Sequence, residues 1–131
     1  MVKILDASAL MVYLEKESGY EKVKDMLVKA AQTNQELLMT TINLGEVYYV
    51  LHREYGGEQA AEILQMIETF PIKFINVDLD LAKQAAVYKA IKKLPFADCF
   101  AAALAKLKKG ELVTKDKDFK VIEDDVKVLW L

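Results

Sequence analysis

Six side chains in this 131-residue chain stand where they could do chemistry together. Asp6 closes the short apolar run Val2-Lys3-Ile4-Leu5, and Ser8 follows it by two residues. Glu46 lies three residues into Asn43-Leu-Gly-Glu, and Asp98 comes three residues after Pro95. Thr114 ends a second apolar run and Asp116 follows, with Asp118 beside the pattern as a further candidate. Singly, each acid has a structural role to fill. Asp6 and Asp116 suit turns or helix N-caps, Asn43-x-x-Glu46 has the form of a capping box, and Asp98 complements a helix dipole. Jointly, carboxylates that converge without His or Cys make a hard-oxygen site, the donor set suited to Mg2+ or Mn2+. Clustered acids repel one another, and a divalent ion relieves the repulsion. Such an ion activates water and holds phosphate oxygens, which is the chemistry of phosphodiester hydrolysis. The hydroxyls of Ser8 and Thr114 would orient carboxylates, water or phosphate.

Other chemistries lack residues. With one Cys (Cys99) and one His (His52), the chain has no ligand set for zinc, heme or iron–sulfur and no intrachain disulfide. A Ser8–His52–Asp hydrolase would need a Gly-x-Ser-x-Gly elbow, which is absent. Cys99 follows Asp98 on a predicted helix rather than a nucleophile turn, so both residues read as structural. The net charge of −2 would not draw nucleic acid by itself, but one or two divalent ions carry it to 0 or +2. All but one of the 18 basic residues are Lys, the exception being Arg53. Asp6 interrupts any signal-peptide core, and the most apolar later run, Phe96 to Ala105, contains Asp98 and is about half a membrane span. These features predict one cytoplasmic domain over residues 1–131 with no membrane segment.

The elements that must position the acids follow from periodicity. Five strands are predicted: Val2–Leu5, Glu36–Thr40, Lys73–Val77, Glu111–Thr114 and Val126–Leu131. Helices are predicted over Ser8–Glu17, Tyr20–Gln32, Asn43–Tyr55, Glu58–Phe70, Leu79–Lys93 and Phe96–Lys109, with Gly19, Gly56-Gly57 and Gly110 as breaks. Strands alternating with such helices make βαβ units and a parallel sheet covered on both faces. Ligands of such sheets bind beyond the carboxyl ends of the strands, where Asp6, Thr114, Asp116 and Asp118 fall. Glu46 and Asp98 lie in the first turns of helices whose N-termini face the same edge. At about 100° per residue, Asp98 shares a helix face with Ala101, Ala102 and Ala105. Small residues there let the helix pack closely, so the carboxylate is partly buried and needs a partner.

The helix Asn43–Tyr55 is apolar almost all round. Its outer side, with Tyr49 and Val50, is a candidate homodimer interface, since aromatics are favoured in interface cores and small domains commonly form twofold dimers. Glu123-Asp124-Asp125 reads as a polar turn before the last strand, and Trp130, alternating with Val126 and Val128, as core packing.

Ile4-Leu5-Asp6-Ala7-Ser8 and Thr41-Ile-Asn-Leu-Gly-Glu46-Val resemble the first half of a PIN domain. Leu94-Pro-Phe-Ala-Asp98-Cys-Phe-Ala-Ala-Ala-Leu-Ala and Leu112-Val-Thr114-Lys-Asp116-Lys-Asp118-Phe119 resemble its second half. Order, spacing and length are similar to the VapC-like toxin ribonucleases of type II toxin–antitoxin pairs. The resemblance implies a three-layer α/β/α sandwich with a five-stranded parallel sheet in the order 3-2-1-4-5. It implies a Mg2+- or Mn2+-dependent ribonuclease with Asp6, Glu46, Asp98 and Asp116 as the acidic quartet, and Ser8 and Thr114 as accompanying hydroxyls. It also implies an RNA substrate, a paired architecture, and a small antitoxin that covers the site with a basic side chain. Family members often grip RNA with basic side chains. Here Lys92, Lys93, Lys106, Lys108, Lys109, Lys115 and Lys117 stand in for arginines, although Lys runs on helices are usually solvated faces. Three alternatives stay open: a PIN-type nuclease of RNA maturation, a receiver-like phosphoacceptor domain, and an inactive binding module. A receiver needs paired acids after strand one, and Asp6 is followed by Ala7.

Overall fold

Strands of three or four residues, joined almost directly to helices, set the geometry. The computed structural model describes all 131 residues. In chain order the elements are β1 (Lys3–Leu5), α1 (Ala7–Leu14), α2 (Tyr20–Gln32), β2 (Leu37–Thr40), α3 (Thr41–Tyr55) and α4 (Gly57–Ile67). There follow β3 (Ile72–Ile75), α5 (Leu79–Ile91), α6 (Phe96–Leu107), β4 (Glu111–Thr114), a 3-10 turn (Lys117–Ile122) and β5 (Lys127–Trp130). The five strands form one parallel sheet in the order β3-β2-β1-β4-β5. The expected architecture is therefore observed. A receiver domain runs 2-1-3-4-5, so the strand order sets that alternative aside.

Side-chain alternation sorts the two faces. Ile4, Leu38 and Leu112 join α5 and α6 in one core, which also takes Phe119 and Ile122 of the 3-10 turn. Leu5, Leu37, Met39 and Val113 point the other way, into a second core with residues of α1 to α4. Helix α6 is buried from Asp98 through Ala105, so both its alanine side and its Phe100–Leu104 side are covered. Small side chains there admit close neighbours.

Gly110 shows how tightly β4 enters the sheet beside β1. A Cβ at this position would meet the Val2 carbonyl oxygen and Ile4 Cδ1, each at 2.6 Å. One residue on, the buried carboxylate of Glu111 accepts from Lys3 Nζ on β1 at 3.0 Å and lies 3.4 Å from Lys127 Nζ on β5. Burial works to raise the Glu111 carboxyl, but the two ammonium groups hold it below the usual range.

Element ends differ modestly from the periodicity, and one difference matters. Helix α3 begins at Thr41, and its cap is Thr40, whose hydroxyl accepts the Asn43 N–H at 3.0 Å. Asn43-x-x-Glu46 is thus inside the helix and is not a capping box. The 3-10 turn that carries Phe119 is capped by Asp116, which accepts the Asp118 N–H at 2.9 Å.

Candidate active site

Asp6 leaves β1 at the carboxyl edge and caps α1, accepting the Ala9 N–H on Oδ1 at 2.9 Å. Ser8 donates to Oδ1 at 2.8 Å, and Thr114, at the end of β4, donates to Oδ2 at 2.6 Å. Each hydroxyl has one proton, and both are directed at Asp6. As acceptors the same hydroxyls tie down the β4 exit: Ser8 Oγ takes the Lys115 N–H at 3.1 Å, and Thr114 Oγ1 takes the Asp116 N–H at 2.9 Å. Burial pushes the Asp6 carboxyl up to about 6, against the three hydrogen bonds and with a smaller push from Asp116.

Across the cleft, Asn43 is fully buried and braces α3 against α6. Its side-chain amide donates to Glu46 Oε1 at 3.1 Å and to the Ala97 carbonyl at 3.2 Å. Ala97 precedes Asp98, so one carboxamide sets the spacing of two acids.

Asp98 is 8% exposed, and its Oδ2 is buried with no hydrogen-bond partner. Burial first, then the charges of Asp116, Glu46, Asp6 and Asp118, push its carboxyl up to about 8. Asp98, Asp116 and Asp118 each present an oxygen within 4.8 Å of the others. Asp6, Ser8, Glu46, Asp98 and Asp116 line one cleft of about 230 Å³, together with Tyr49 and Val50 of α3. The structure thus brings the predicted acids and Ser8 to one cleft, with Thr114 buried behind Asp6 and Asp118 beside Asp116. An unpartnered buried acceptor among acids, with no His or Cys at hand, fits a hard divalent cation such as Mg2+ or Mn2+.

Residues outside the expected set also touch the cleft. Tyr49 and Val50 line it, and the Arg53 guanidinium sits over the Tyr49 ring at 5.3 Å. Asn43 was legible only as the first residue of a capping box, and Arg53 only as the lone arginine. His52 packs edge-on to Tyr48 and against Gly57, where a Cβ would come within 2.9 Å of its Nε2. Cys99 is buried with its thiol toward the Leu94 carbonyl. Larger grooves lie elsewhere, one of about 360 Å³ beneath α2 lined by Lys3, Lys22 and Lys29, but no set of acids converges there. No helix is long and apolar enough to cross a membrane.

A family model described as the PIN domain matches residues 3–125. The VapC ribonuclease Mb0640 of Mycobacterium bovis is 27% identical over 123 residues, covering 88% of this chain and 91% of its own. Among solved structures, VapBC2 from Rickettsia felis bound to a DNA fragment from their promoter matches with a TM-score of 0.79. It is 16% identical and covers 98% of each chain. VapC20 of Mycobacterium tuberculosis, a Sarcin-Ricin loop cleaving toxin, matches at 0.70 with 19% identity, over 90% of this chain and 92% of that one. At such identities the two structures speak for the fold.

Proposed function

The chain belongs to the PIN domain family, and from that premise we propose that it is a metal-dependent endoribonuclease, the toxin of a type II toxin–antitoxin pair. The observation that carries the reading is Asp98 Oδ2, a buried acceptor with no partner, facing further acids at a parallel-sheet edge. A relative that is 27% identical over 88% of this chain is a VapC ribonuclease, which supports the reaction class.

In this reading Asp6, Asp98 and Asp116 hold Mg2+ or Mn2+, with Glu46 and Asp118 at the margin. The bound cation supplies Lewis-acid polarisation of the phosphate and eases deprotonation of water. The chain's own residues do the positioning. Ser8 and Thr114 fix both oxygens of Asp6, so that carboxylate presents a constant direction to the cleft. Asn43 holds Glu46 on the opposite wall of the cleft.

The partner in this reading is a small antitoxin carrying a basic side chain into the acids, where a charge-assisted hydrogen bond would satisfy Asp98. The cytoplasm is the compartment in which both RNA and such a partner meet it. The test is RNA cleavage with Mg2+ or Mn2+, comparing wild type with Asp98→Asn. Cleavage confined to the wild type and abolished by chelator is expected. Equal cleavage by the variant, or undiminished cleavage in excess chelator, sinks the reading.

A further inference from the structure

The acids explain how a phosphate could be attacked but not how an RNA strand is kept beside them. Four carboxylates repel the flanking phosphates until a cation is bound, so strand binding needs a second device. Lys92 and Lys106 pair with Asp124 and Asp125 in the turn that enters the amino end of β5, at the opposite edge of the sheet from the acids. At the acid edge Lys115 pairs with Glu17, while Lys117, between Asp116 and Asp118, is in no ion pair. Arg53 takes part in no ion pair. Its guanidinium instead stands over Tyr49, whose side chain is 56% exposed although it lines the acid cleft.

We propose that Tyr49 and Arg53 form a stacking platform for a nucleobase flanking the scissile phosphate of single-stranded RNA. The proposal rests on the ribonuclease reading and names the form of its substrate. Glu46, Tyr49 and Arg53 follow one another at helical spacing along α3. The rise from Glu46 is about 4.5 Å to Tyr49 and about 10.5 Å to Arg53. That is the reach from a reacting phosphate to the neighbouring nucleotide. A tyrosine ring and a guanidinium plane both accept an unstacked base, and every base has a π face, so the contact favours single strands without reading sequence. The guanidinium also offers donors to the adjoining phosphate. An apolar neighbour, Val50, completes the wall of the cleft. An exposed aromatic on this helix would also suit an interface with a second copy of the chain, and the experiment separates the two.

Steady-state cleavage of a short single-stranded RNA is measured in Mn2+ for wild type, Tyr49→Phe, Tyr49→Leu and Arg53→Gln. The same strand with the flanking base removed is run beside it, and molecular mass in solution is determined for each variant. Tyr49→Leu should raise KM by about 5- to 100-fold with kcat within about threefold of wild type, and Tyr49→Phe should match wild type. Removing the base should cost the wild type the same factor and cost Tyr49→Leu nothing further. Arg53→Gln should raise KM and flatten the salt dependence of binding by about 0.7 in slope. Unchanged KM in both Tyr49→Leu and Arg53→Gln, with the wild type cleaving, overturns the platform alone. So does a change of molecular mass with KM unaltered. A wild type that neither binds nor cleaves RNA overturns the ribonuclease reading and the platform with it.

Discussion

Replacing Asp98 by Asn should stabilise the metal-free protein while abolishing its response to metal. The Asp98 carboxyl is pushed up to about 8 from an ordinary 3.8, first by burial and then by four neighbouring acids. Between those values the folded state binds more protons than the unfolded state, so stability falls as pH rises from about 4 toward 8. At pH 7 roughly three units lie above the unfolded value, which sets a ceiling of about 4 kcal/mol. Solvent screening removes part of this, leaving about 1–3 kcal/mol. Asn has no charge to bury. The variant should therefore melt above wild type in chelator at pH 7, by about 3–5 °C for each kcal/mol, and converge with it near pH 4. Mn2+ at a hundredfold excess over its Kd should give the wild type about 2.7 kcal/mol and the variant far less, reversing the order. Thermal unfolding followed by circular dichroism, with chelator or Mn2+ at both pH values, reads all of this. A variant that melts below wild type in chelator at pH 7, or that gains as much from Mn2+, would refute the reasoning.

Protons should compete with the cation: Mn2+ stabilisation of the wild type, read calorimetrically, should weaken as pH falls from 8 to 6. Thr114→Val removes the 2.6 Å donor to Asp6 and should cost about 1–3 kcal/mol in denaturant unfolding, while lowering Mn2+ affinity. Asn43→Ala frees Glu46 from Ala97, and single-turnover cleavage should slow by about 10- to 100-fold with the fold retained. Gly110→Ala forces a methyl against the Val2 carbonyl and Ile4, and should cost about 1–3 kcal/mol of stability by urea titration.

Asp6, Asp98 and Asp116 were legible because strand ends and helix starts are marked by sharp changes of composition, and the parallel-sheet rule then puts them on one edge. The burial of Asp98 was legible in its alanine face. The joint between β2 and α3 was not. Strand passes to helix between Thr40 and Thr41 with no connecting residue, so the true cap, Thr40, looked like the last residue of a strand. Displacing the cap by three residues hid the role of Asn43. Tyr49 and Val50 read as interface residues because an almost uniformly apolar helix has no face that periodicity can assign. Their place at the cleft depends on how α3 rolls against α1 and α6, a tertiary matter. The acidic run 123–125 is the polar turn that the sequence indicates, and its carboxylates also receive Lys92, Lys106, the Tyr88 hydroxyl and the Trp130 indole. Only folding reveals that Trp130 is half-buried, its N–H turned out to Glu123 at 3.2 Å.

The hydrogen bond from Thr114 to Asp6 spans 108 positions of sequence. During synthesis the amino-terminal acids are therefore made long before the hydroxyl that orients them, and Asp116 comes later still. A growing chain, or a fragment truncated ahead of β4, carries Asp6, Glu46 and Asp98 but cannot arrange them. Contacts this distant are also the slowest to form. Under the ribonuclease reading, a cell translating its own nuclease meets a harmless polypeptide until β4 and Asp116 have been made. That delay is a window in which a partner made beforehand can be waiting for the finished edge of the sheet.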